Sequence, residues 1–308
     1  MHIKINKLSA KILGETVKLK IIIVHIKSLA KKDSSKYISV KVQDNSGSME
    51  FPVWDIETQA AMLTSHYEGK VFELTGHVSF YEGKAQIKDP SFLLLKDEDV
   101  KSCLPKYDIT PELLEYFHKT IDGLSIKYKS FLTITFNDAL LSQFLEAPAA
   151  QSHHHAKIGG LFVHTVGVMK NVDSMISNYV TESYFLVDAS SKIDKDRLMF
   201  KAILHDLGKI WEYEWDSGIR RRDFRIGHII KTCSYIENAN NNLGIFSLEE
   251  IDDICSSILC HHGNFEKYGK VEIKTVEDQL LHLADMIDSQ IVGHVEGGGG
   301  GVTVRENL

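Results

Sequence analysis

The chain lacks any long hydrophobic run. Its most compact apolar stretch, residues 21–24, has lysines on both sides and is far shorter than the ~20 residues that a membrane-spanning helix needs. The first residues also lack the apolar core of a secretory signal peptide. We therefore expect no membrane partner for this protein.

Cysteine is scarce. The 308 residues contain four cysteines, and no two of them have the C-x-x-C spacing. This number and spacing exclude a disulfide framework of the kind found in small secreted domains. We expect reduced thiols and a cytoplasmic location. The sequence also shows no internal repeat.

Positive charge is in deficit, because the formal net charge is −7. That sign is unexpected for a nucleic-acid-binding protein, but residues 1–50 contain ten lysines and four acidic residues. This basic segment could follow a phosphate backbone, although a lysine-rich strand surface would have the same composition. With 43% hydrophobic and 25% charged residues, the chain is typical of a soluble globular protein long enough for two domains.

Residues 1–100 are predicted to form short strands. Alternating apolar residues and β-branched side chains indicate strands over residues 17–27, 37–42, 49–54, 71–78 and 84–87. Residues 44–48 are predicted to form a turn, and residues 55–67 have helical spacing. Pro52 implies that its strand lies at a sheet edge or contains a bulge. Five short strands with one interposed helix favour an OB-type Greek-key barrel.

After a charged segment at residues 96–101 and a linker at residues 101–110, the apolar spacing becomes helical. Pro111 predicts the first helix, Ser247 begins a capping box, and Thr275 begins the last helix. The predicted fold class is multidomain α and β, with an N-terminal five-stranded OB-type β-barrel followed by an all-α helical bundle over residues 111–295. Residues 296–308 include five consecutive glycines and are expected to form a flexible tail.

Histidine and aspartate recur through the helical part. They are His164, the pair His205-Asp206, His228, the pair His261-His262 and Asp285. Imidazole and carboxylate groups together suit divalent Mn, Fe, Co or Zn, and two such ions can clamp a phosphate. Residues 205–209 follow an apolar helix, so the pair would point inward, and Gly208 would let that helix end beside the metals. Side chains from several helices could then converge within a bundle.

The order of a histidine, a His-Asp pair and a late aspartate resembles the HD-domain metal-dependent phosphohydrolase superfamily. Residues 152–165 closely resemble the start of the HD domain in the YhaM-type 3′-to-5′ exoribonuclease family, in which an OB-type domain precedes the HD domain. Residues 37–55 are similar to an OB-fold nucleic-acid-binding family related to tRNA anticodon-binding domains. The chain departs from the exoribonuclease pattern at Lys157, where an aromatic residue is expected.

The resemblance implies an HD domain over residues 111–295 that holds two divalent metal ions, with Mn in first place and Co, Fe or Zn as alternatives. The implied ligands are His164, His205, Asp206, His228, His261, His262 and Asp285. Asp206 would bridge the two ions, and His228 together with one or both of His261 and His262 would bind the second ion. His262 could instead bind no metal itself and orient one of the metal ligands.

Asp206 and Lys209 are the predicted catalytic residues. Lys209 would carry a fixed positive charge beside the metals and could neutralise a phosphate oxygen of the substrate. An alternative explanation is a lysine placed there because the C-terminus of a helix favours positive charge.

The predicted nucleic-acid contacts combine basic residues with aromatic platforms. They are Lys36, Lys41, Trp54, Phe80, Tyr81, Lys84, His154, His155, Arg220, Arg221, Arg222 and Arg225. OB folds bind single strands by stacking bases on aromatic rings above a basic groove. For Trp54, a place in the barrel core is favoured over a platform. The arginines could equally belong to a solvated loop.

The resemblance implies a metal-dependent 3′-to-5′ exonuclease that acts on single-stranded RNA, with DNA as a further substrate. A metal-bound hydroxide would attack the terminal phosphodiester and release 5′-mononucleotides. Two alternatives stay open: an HD phosphohydrolase or phosphodiesterase for small or cyclic nucleotides, and a non-catalytic single-strand-binding module. The sequence is compatible with an oligomer but specifies none.

Overall fold

A five-stranded antiparallel sheet and a bundle of helices make up the structure, a computed structural model. It describes residues 2–30, 36–54, 64–95, 100–150, 155–181, 193–215, 219–221, 225–263 and 272–296. The chain divides into one unit of Met1–Lys106 with Trp215–Arg220, and a second unit of Tyr107–Glu214 with Arg221–Leu308. The predicted fold class, an OB-type β-domain followed by a helical bundle, is confirmed.

The first unit is the predicted five-stranded sheet. Its strands are β1 (Thr16–Ala30), β2 (Lys36–Asp44), β3 (Gly47–Val53), β4 (Val71–Tyr81) and β5 (Lys84–Leu94). The strand order is β3-β2-β1-β4-β5, and each neighbouring pair is antiparallel. The two end strands β3 and β5 also contact each other. This is the strand arrangement of an OB-type barrel.

Alternation along the strands builds the core of this unit. In β1, Val17, Leu19 and Ile21 are fully buried, whereas the intervening Lys18 and Lys20 are half-buried. Such alternation puts one face of a strand against the core and the other towards solvent.

The predicted turn after β2 and the edge position of Pro52 are both confirmed. Asp44 closes the turn, because its Oδ1 accepts hydrogen bonds from the backbone N–H groups of Ser46 (2.7 Å) and Gly47 (3.1 Å). Pro52 lies in β3, the end strand of the sheet order, where its missing N–H interrupts no central ladder.

The second unit is built from helices. In the described part of the chain they are α1 (Pro111–Gly123), α2 (Ile126–Thr135), α3 (Asp138–Glu146), α4 (Gly160–Ile176), α5 (Lys195–Leu204), α6 (Lys209–Glu212), α7 (His228–Leu243), α8 (Leu248–Cys260) and α9 (Val276–Val295). The predicted starts are confirmed, since Pro111 begins α1 and capping boxes begin at Ser247 and Thr275.

Helix α4 is the central helix of the bundle, because it contacts α1, α3, α5 and α9. Its side chains are buried on several sides, and Leu161, Phe162, Val168 and Met169 are inaccessible to solvent. A helix that is apolar on most faces is stable only when other elements surround it. A histidine in this helix is therefore held inside the bundle.

The segment between α6 and α7 contains one feature that the sequence pattern did not predict. A short hairpin of β6 (Tyr213–Trp215) and β7 (Ile219–Arg221) interrupts the helices. Strands of three residues are too short to show a period-two alternation.

Several sequence predictions fall partly outside the described residues. They are the helix at residues 55–67, of which residues 65–67 form a 3₁₀ turn, the charged segment at residues 96–101, and the tail at residues 296–308. Among the helices that the structure describes, none is long and apolar enough to cross a membrane.

Candidate metal centre

The seven predicted metal ligands come together in the helical unit. His164 lies in α4, His205 and Asp206 directly follow α5, and His228 is the first residue of α7. His261 and His262 follow α8, and Asp285 lies in α9. Their potential ligand atoms form two groups, each within 4.8 Å: Asp206 with His228, His261 and His262, and His164 with His205 and Asp285.

Asp206 connects the two groups, because each of its carboxylate oxygens lies near a different pair of histidines. Its Oδ2 is 3.2 Å from His164 Nε2 and 3.4 Å from His205 Nε2. Its Oδ1 is 3.2 Å from His228 Nε2 and 3.7 Å from His261 Nε2. A carboxylate in this position could bridge two cations, one in each group.

Asp285 and His262 complete the two groups. Asp285 Oδ1 is 3.2 Å from His164 Nε2, and Asp285 Oδ2 is 3.7 Å from His262 Nδ1. His262 Nε2 is 3.2 Å from His228 Nε2. Both His261 and His262 therefore offer a ring nitrogen to the group that contains His228, so the geometry does not force a choice between them.

The donor atoms fit a pair of divalent cations. Among the described residues, Asp206 Oδ1 and His261 Nε2 are buried side-chain atoms without a hydrogen-bond partner. Leaving a buried polar atom unsatisfied costs roughly 1–3 kcal/mol, more for a charged group. A cation between these two atoms would remove that cost. Mixed imidazole nitrogen and carboxylate oxygen donors suit Mn, Fe, Co and Zn.

Hydrogen bonds on the far side of each ring orient the histidines. The Nδ1 atoms of four of them donate as follows: His164 to Asp288 Oδ2 (2.7 Å), His205 to the Ala202 carbonyl (2.8 Å), His228 to Glu212 Oε2 (2.7 Å) and His261 to the Ile258 carbonyl (2.6 Å). Carbonyl and carboxylate oxygens only accept, so each Nδ1 carries the hydrogen. The Nε2 lone pair is then left for a metal.

Burial and nearby charges shift the pKa values of Asp206, His228 and His262 in the direction that metal binding needs. Burial would raise the pKa of Asp206, but the charges of Lys209 and His205 hold that pKa well below its usual range. Burial, and after it the charge of the neighbouring His261, lowers the pKa of His262 to about 2. Burial also lowers the pKa of His228. His228 and His262 are therefore neutral at physiological pH, as nitrogen ligands must be.

Lys209 is held beside Asp206, the carboxylate that could bridge two cations. Its side chain is nearly buried, and Nζ lies 2.5 Å from Asp206 Oδ2. Burial would lower the pKa of Lys209, but the Asp206 carboxylate raises it. The amino group therefore keeps its positive charge next to the two groups of donors.

A glycine is needed at position 208 for a different reason from the one predicted. Its backbone has right-handed helical geometry, so no left-handed helix end is formed there. Instead, the start of α7 packs against it, and a Cβ at Gly208 would lie 2.0 Å from the His228 carbonyl oxygen. The glycine permits close approach between the His205-Asp206 turn and His228.

Sequence reasoning missed the carboxylates that hold the histidine rings. Asp288 lies three residues after Asp285 in α9, so the two share a helix face. That spacing was a usable signal. Glu212 accepts from both the backbone N–H and Nδ1 of His228, at 2.5 and 2.7 Å. It lies 16 residues before His228, so no local spacing indicated the pair.

The aromatic residues predicted to contact nucleic acid are found in the first unit. Trp54 is 56% exposed and Tyr81 is 63% exposed, and both line a groove between the ends of β3, β4 and β5. The preference for Trp54 in the barrel core was therefore wrong. Tyr37, which the sequence analysis did not select, stacks on Trp54 with ring centroids 5.0 Å apart. Phe80 is half-buried and packs against the barrel core.

The structure describes the side chains of only some of the basic residues that were predicted to contact nucleic acid. Lys36, Lys41, Lys84 and Arg225 are exposed. Arg220 and Arg221 lie in β7, but their side chains lie outside the described part of the structure, as do residues 154 and 222, where His154 and Arg222 were selected.

The prediction that His155 contacts nucleic acid was wrong. Its side chain is 1% exposed, and Nε2 is 2.8 Å from Asp288 Oδ2, behind His164. A ring enclosed in this way has no face left for a substrate.

Comparisons with known proteins agree with this architecture. Residues 161–290 match the family model of the HD domain. The chain is similar to proteins named 3′-5′ exoribonuclease YhaM. The protein from Shouchella clausii is 29% identical over 84% of this chain and 79% of the relative. The protein from Geobacillus sp. is 23% identical over 90% of this chain and 83% of the relative.

A third relative of the same name, from Listeria innocua, is 25% identical over 90% of this chain and 86% of its own length. No solved structure matches the chain significantly. The HD model covers the segment that carries all seven candidate ligands. The chain is therefore a hydrolase that contains an HD domain, and it resembles the YhaM-type 3′-to-5′ exoribonuclease family.

Proposed function

We propose that this protein is a metal-dependent 3′-to-5′ exonuclease that degrades single-stranded RNA. The observation that carries the proposal is the position of Asp206, which turns one oxygen to each of two histidine groups. This donor arrangement suits two-ion cleavage of a phosphodiester. The polarity and the RNA substrate are supported by the names of the relatives, which match over most of their length.

The seven ligands would hold two divalent cations, and we propose Mn as the physiological metal with Co, Fe or Zn as alternatives. When bound, such ions polarise a phosphate oxygen and lower the pKa of a water molecule that can act as nucleophile. The protein's own contributions are orientation and charge. The Nδ1 hydrogen bonds fix the rings, and Asp206 would lie between the ions.

Lys209 would act on the substrate phosphate. Its ammonium is held 2.5 Å from Asp206 Oδ2 and keeps its charge although the side chain is nearly buried. A fixed positive charge beside the reacting phosphate stabilises the negative charge that develops in the transition state. A water-poor surrounding strengthens this interaction.

The first unit would bind the RNA strand. Trp54 and Tyr81 are exposed beside a groove, and Lys84 is exposed at the start of β5. Aromatic rings and lysines in this combination favour unpaired bases and a phosphate backbone. We also propose 5′-mononucleotides as products, single-stranded DNA as a second substrate, and a cytoplasmic location. The four cysteines support that location, because all are free and buried.

The test uses a 5′-labelled RNA oligonucleotide with Mn²⁺, and DNA of the same sequence in parallel. We expect stepwise shortening to mononucleotides. A 3′-blocked strand and a circular single strand should resist, whereas a 5′-blocked strand should be degraded. Rapid cleavage of the circle would mean endonuclease action. Cleavage of free or cyclic nucleotides alone would favour the phosphodiesterase alternative, and tight binding without cleavage would favour the non-catalytic module.

A further inference from the structure

A carboxylate and a second histidine stand behind the metal ligand His164. Asp288 Oδ2 lies 2.7 Å from His164 Nδ1 and 2.8 Å from His155 Nε2. Both imidazole side chains are 1% exposed, and their ring centroids are 5.3 Å apart. Because a carboxylate oxygen only accepts, each ring must donate to it. Asp288 therefore holds two buried rings at once.

The backbone of His155 is fixed by its surroundings. Its φ angle is +54°, in the left-handed region that non-glycine residues seldom adopt. Its N–H donates to Glu296 Oε2 (3.0 Å), and its carbonyl accepts from the backbone N–H of Ala149 (3.1 Å). An unfavourable backbone angle persists only where neighbouring contacts determine it, and such positions cluster at functional sites.

Helix α4 makes room for this arrangement through two glycines. A Cβ at Gly160 would lie 1.9 Å from the His155 carbonyl oxygen, and a Cβ at Gly167 would lie 2.0 Å from Asp288 Oδ1. Gly160 lies four residues before His164 and Gly167 three residues after it, so all three share one helix face. The face that carries the ligand is thus shaped for His155 and Asp288.

Glu296 extends the arrangement to the end of α9. It accepts hydrogen bonds from the Tyr107 hydroxyl at 2.6 Å, from the Lys157 ammonium, and from the His155 backbone. The Lys157 ammonium also lies 4.9 Å from the centre of the Tyr107 ring. Lys157, the departure from the family pattern, thus helps to hold the carboxylate that fixes His155.

We propose that His155 and Asp288 are positioning residues that act together to orient His164 for metal binding, with Glu296 fixing the His155 backbone. The inference rests on the metal centre of the proposed function. Asp288 keeps the hydrogen on His164 Nδ1 and aims Nε2 at Asp206 and Asp285, 3.2 Å from each. His155 holds Asp288 in place through a second hydrogen bond to the same oxygen.

The same three side chains could be considered a third cation site, since His155, His164 and Asp288 offer atoms within 4.8 Å of one another. His164 would then have to bind metals through both ring nitrogens. The positioning role instead leaves Nδ1 protonated, and it requires no more than two ions for each chain.

The test measures Co²⁺ binding to the full chain by visible absorbance and by metal analysis. Asp288→Asn should weaken the binding of one ion by roughly tenfold to a hundredfold, the usual cost of losing a partner behind a metal ligand. His155→Gly should have a similar effect, although glycine relieves the backbone strain. His155→Gln should retain more affinity, because its amide N–H can still donate to Asp288.

Two matched controls lie on the same helices but away from the centre. Asp173→Asn removes an exposed carboxylate of α4 that accepts from Tyr116, and His294→Gln replaces an exposed histidine of α9. Both should bind Co²⁺ as the wild type does. Circular dichroism melting of every variant separates a local change in metal binding from loss of the fold.

Wild-type affinity and an unchanged Co²⁺ spectrum in both Asp288→Asn and His155→Gly would overturn the proposal. A third ion in the wild type that Asp288→Asn removes, with the other two unaffected, would overturn it in favour of a third site. The result is separate from the proposed activity. If the wild type binds Co²⁺ but cleaves no RNA, the proposed function fails, while weakened binding in the two variants still supports the positioning role.

Discussion

Asp206 and Lys209 are charged residues buried against each other in the candidate metal centre. Their side chains are 1% and 8% exposed, with Nζ 2.5 Å from Oδ2. Removing one partner of such a pair costs about 3–5 kcal/mol, because the other charge is left buried and unpaired. A variant of Asp206 alone therefore mixes loss of the metal bridge with loss of stability.

The first prediction separates these effects with two variants. Asp206→Ala and the double variant Asp206→Ala/Lys209→Met should both bind less metal and lose at least about 10³-fold in RNA hydrolysis, since the metals contribute several kcal/mol of transition-state stabilisation. The double variant should recover much of the stability in urea unfolding. Normal metal content and activity in either variant would mean that Asp206 is not a ligand.

Also at the residue scale, the sequence predicted the candidate ligands but not the residues that orient them. Histidine and aspartate types indicated metal chemistry, and helical packing brought all seven together. Glu212 could not be predicted, because its pairing with His228 depends on how α6 and α7 pack. Trp54 was misassigned because it follows the last residue of β3, where strand alternation no longer decides which side faces the core.

Among the elements, the contact between α7 and the residue before α6 positions the group of candidate ligands that contains His228. The start of α7 places His228, and its carbonyl packs directly over Gly208, the residue before α6. Gly208 N–H also donates to the Thr232 hydroxyl of α7 at 2.8 Å. There is no room for a methyl group between these two segments.

The second prediction is that Gly208→Ala displaces His228 from Asp206. We expect reduced metal stoichiometry and strongly reduced RNA hydrolysis, with the helical circular dichroism spectrum retained. Gly123→Ala is the matched control, because a Cβ at that helix end would meet nothing within 4 Å. Equal metal content and activity in the two variants would show that α7 can shift without moving the ligand.

Helix α9 is anchored to α5 by a buried carboxylate, Glu277, in its first turn. Glu277 accepts from Arg197 Nη2 at 2.7 Å, from Lys201 Nζ at 2.9 Å and from the Asp194 N–H at 2.8 Å. Burial would raise the pKa of Glu277, but Arg197 and Lys201 hold it below the usual 4.5. Because the pKa is lower in the folded state, this carboxylate stabilises the fold above pH 4.5, and the contribution is lost as pH falls below that value.

The third prediction follows from the lowered pKa of Glu277. Glu277→Gln should cost about 3 kcal/mol at pH 7, because Arg197 and Lys201 lose a buried partner. The difference from the wild type should shrink as the pH of urea unfolding is lowered from 4.5 towards 3. Glu249→Gln, an exposed change in the first turn of α8, should alter stability by less than about 0.5 kcal/mol. A pH-independent difference for Glu277→Gln would contradict the argument.

Element types were predictable where the chain carries strong local signals. Alternation gave the five strands of the first unit, and the caps at Ser247 and Thr275 gave the starts of α8 and α9. The hairpin of β6 and β7 was missed, because each strand has three residues and no apolar period.

For the whole molecule, the proposed activity divides between two units. The candidate ligands all belong to the helical unit, and the exposed aromatic residues beside a groove belong to the β-unit. If the β-unit binds the RNA strand, a variant that weakens this contact should bind long substrates less tightly and change the hydrolysis of short ones little. Stacking of a base on an aromatic ring contributes about 1–3 kcal/mol.

The fourth prediction concerns Trp54→Ala/Tyr81→Ala in the full chain. Binding of a long single-stranded RNA should weaken by about tenfold to a hundredfold or more, whereas hydrolysis of a dinucleotide at saturating Mn²⁺ should be unchanged. The salt dependence of binding should keep its slope, because no phosphate contact is lost. Lys84→Gln should instead reduce that slope by about one unit.

Leu93→Ala is the matched control, since Leu93 is 60% exposed in β5 but is not among the residues that line the groove. It should bind RNA as the wild type does. If the double aromatic variant also binds long RNA with wild-type affinity at every salt concentration, the groove of the β-unit does not hold the strand. If dinucleotide hydrolysis falls in parallel with binding of long RNA, the aromatic residues act on the metal centre itself and the division between the units is wrong.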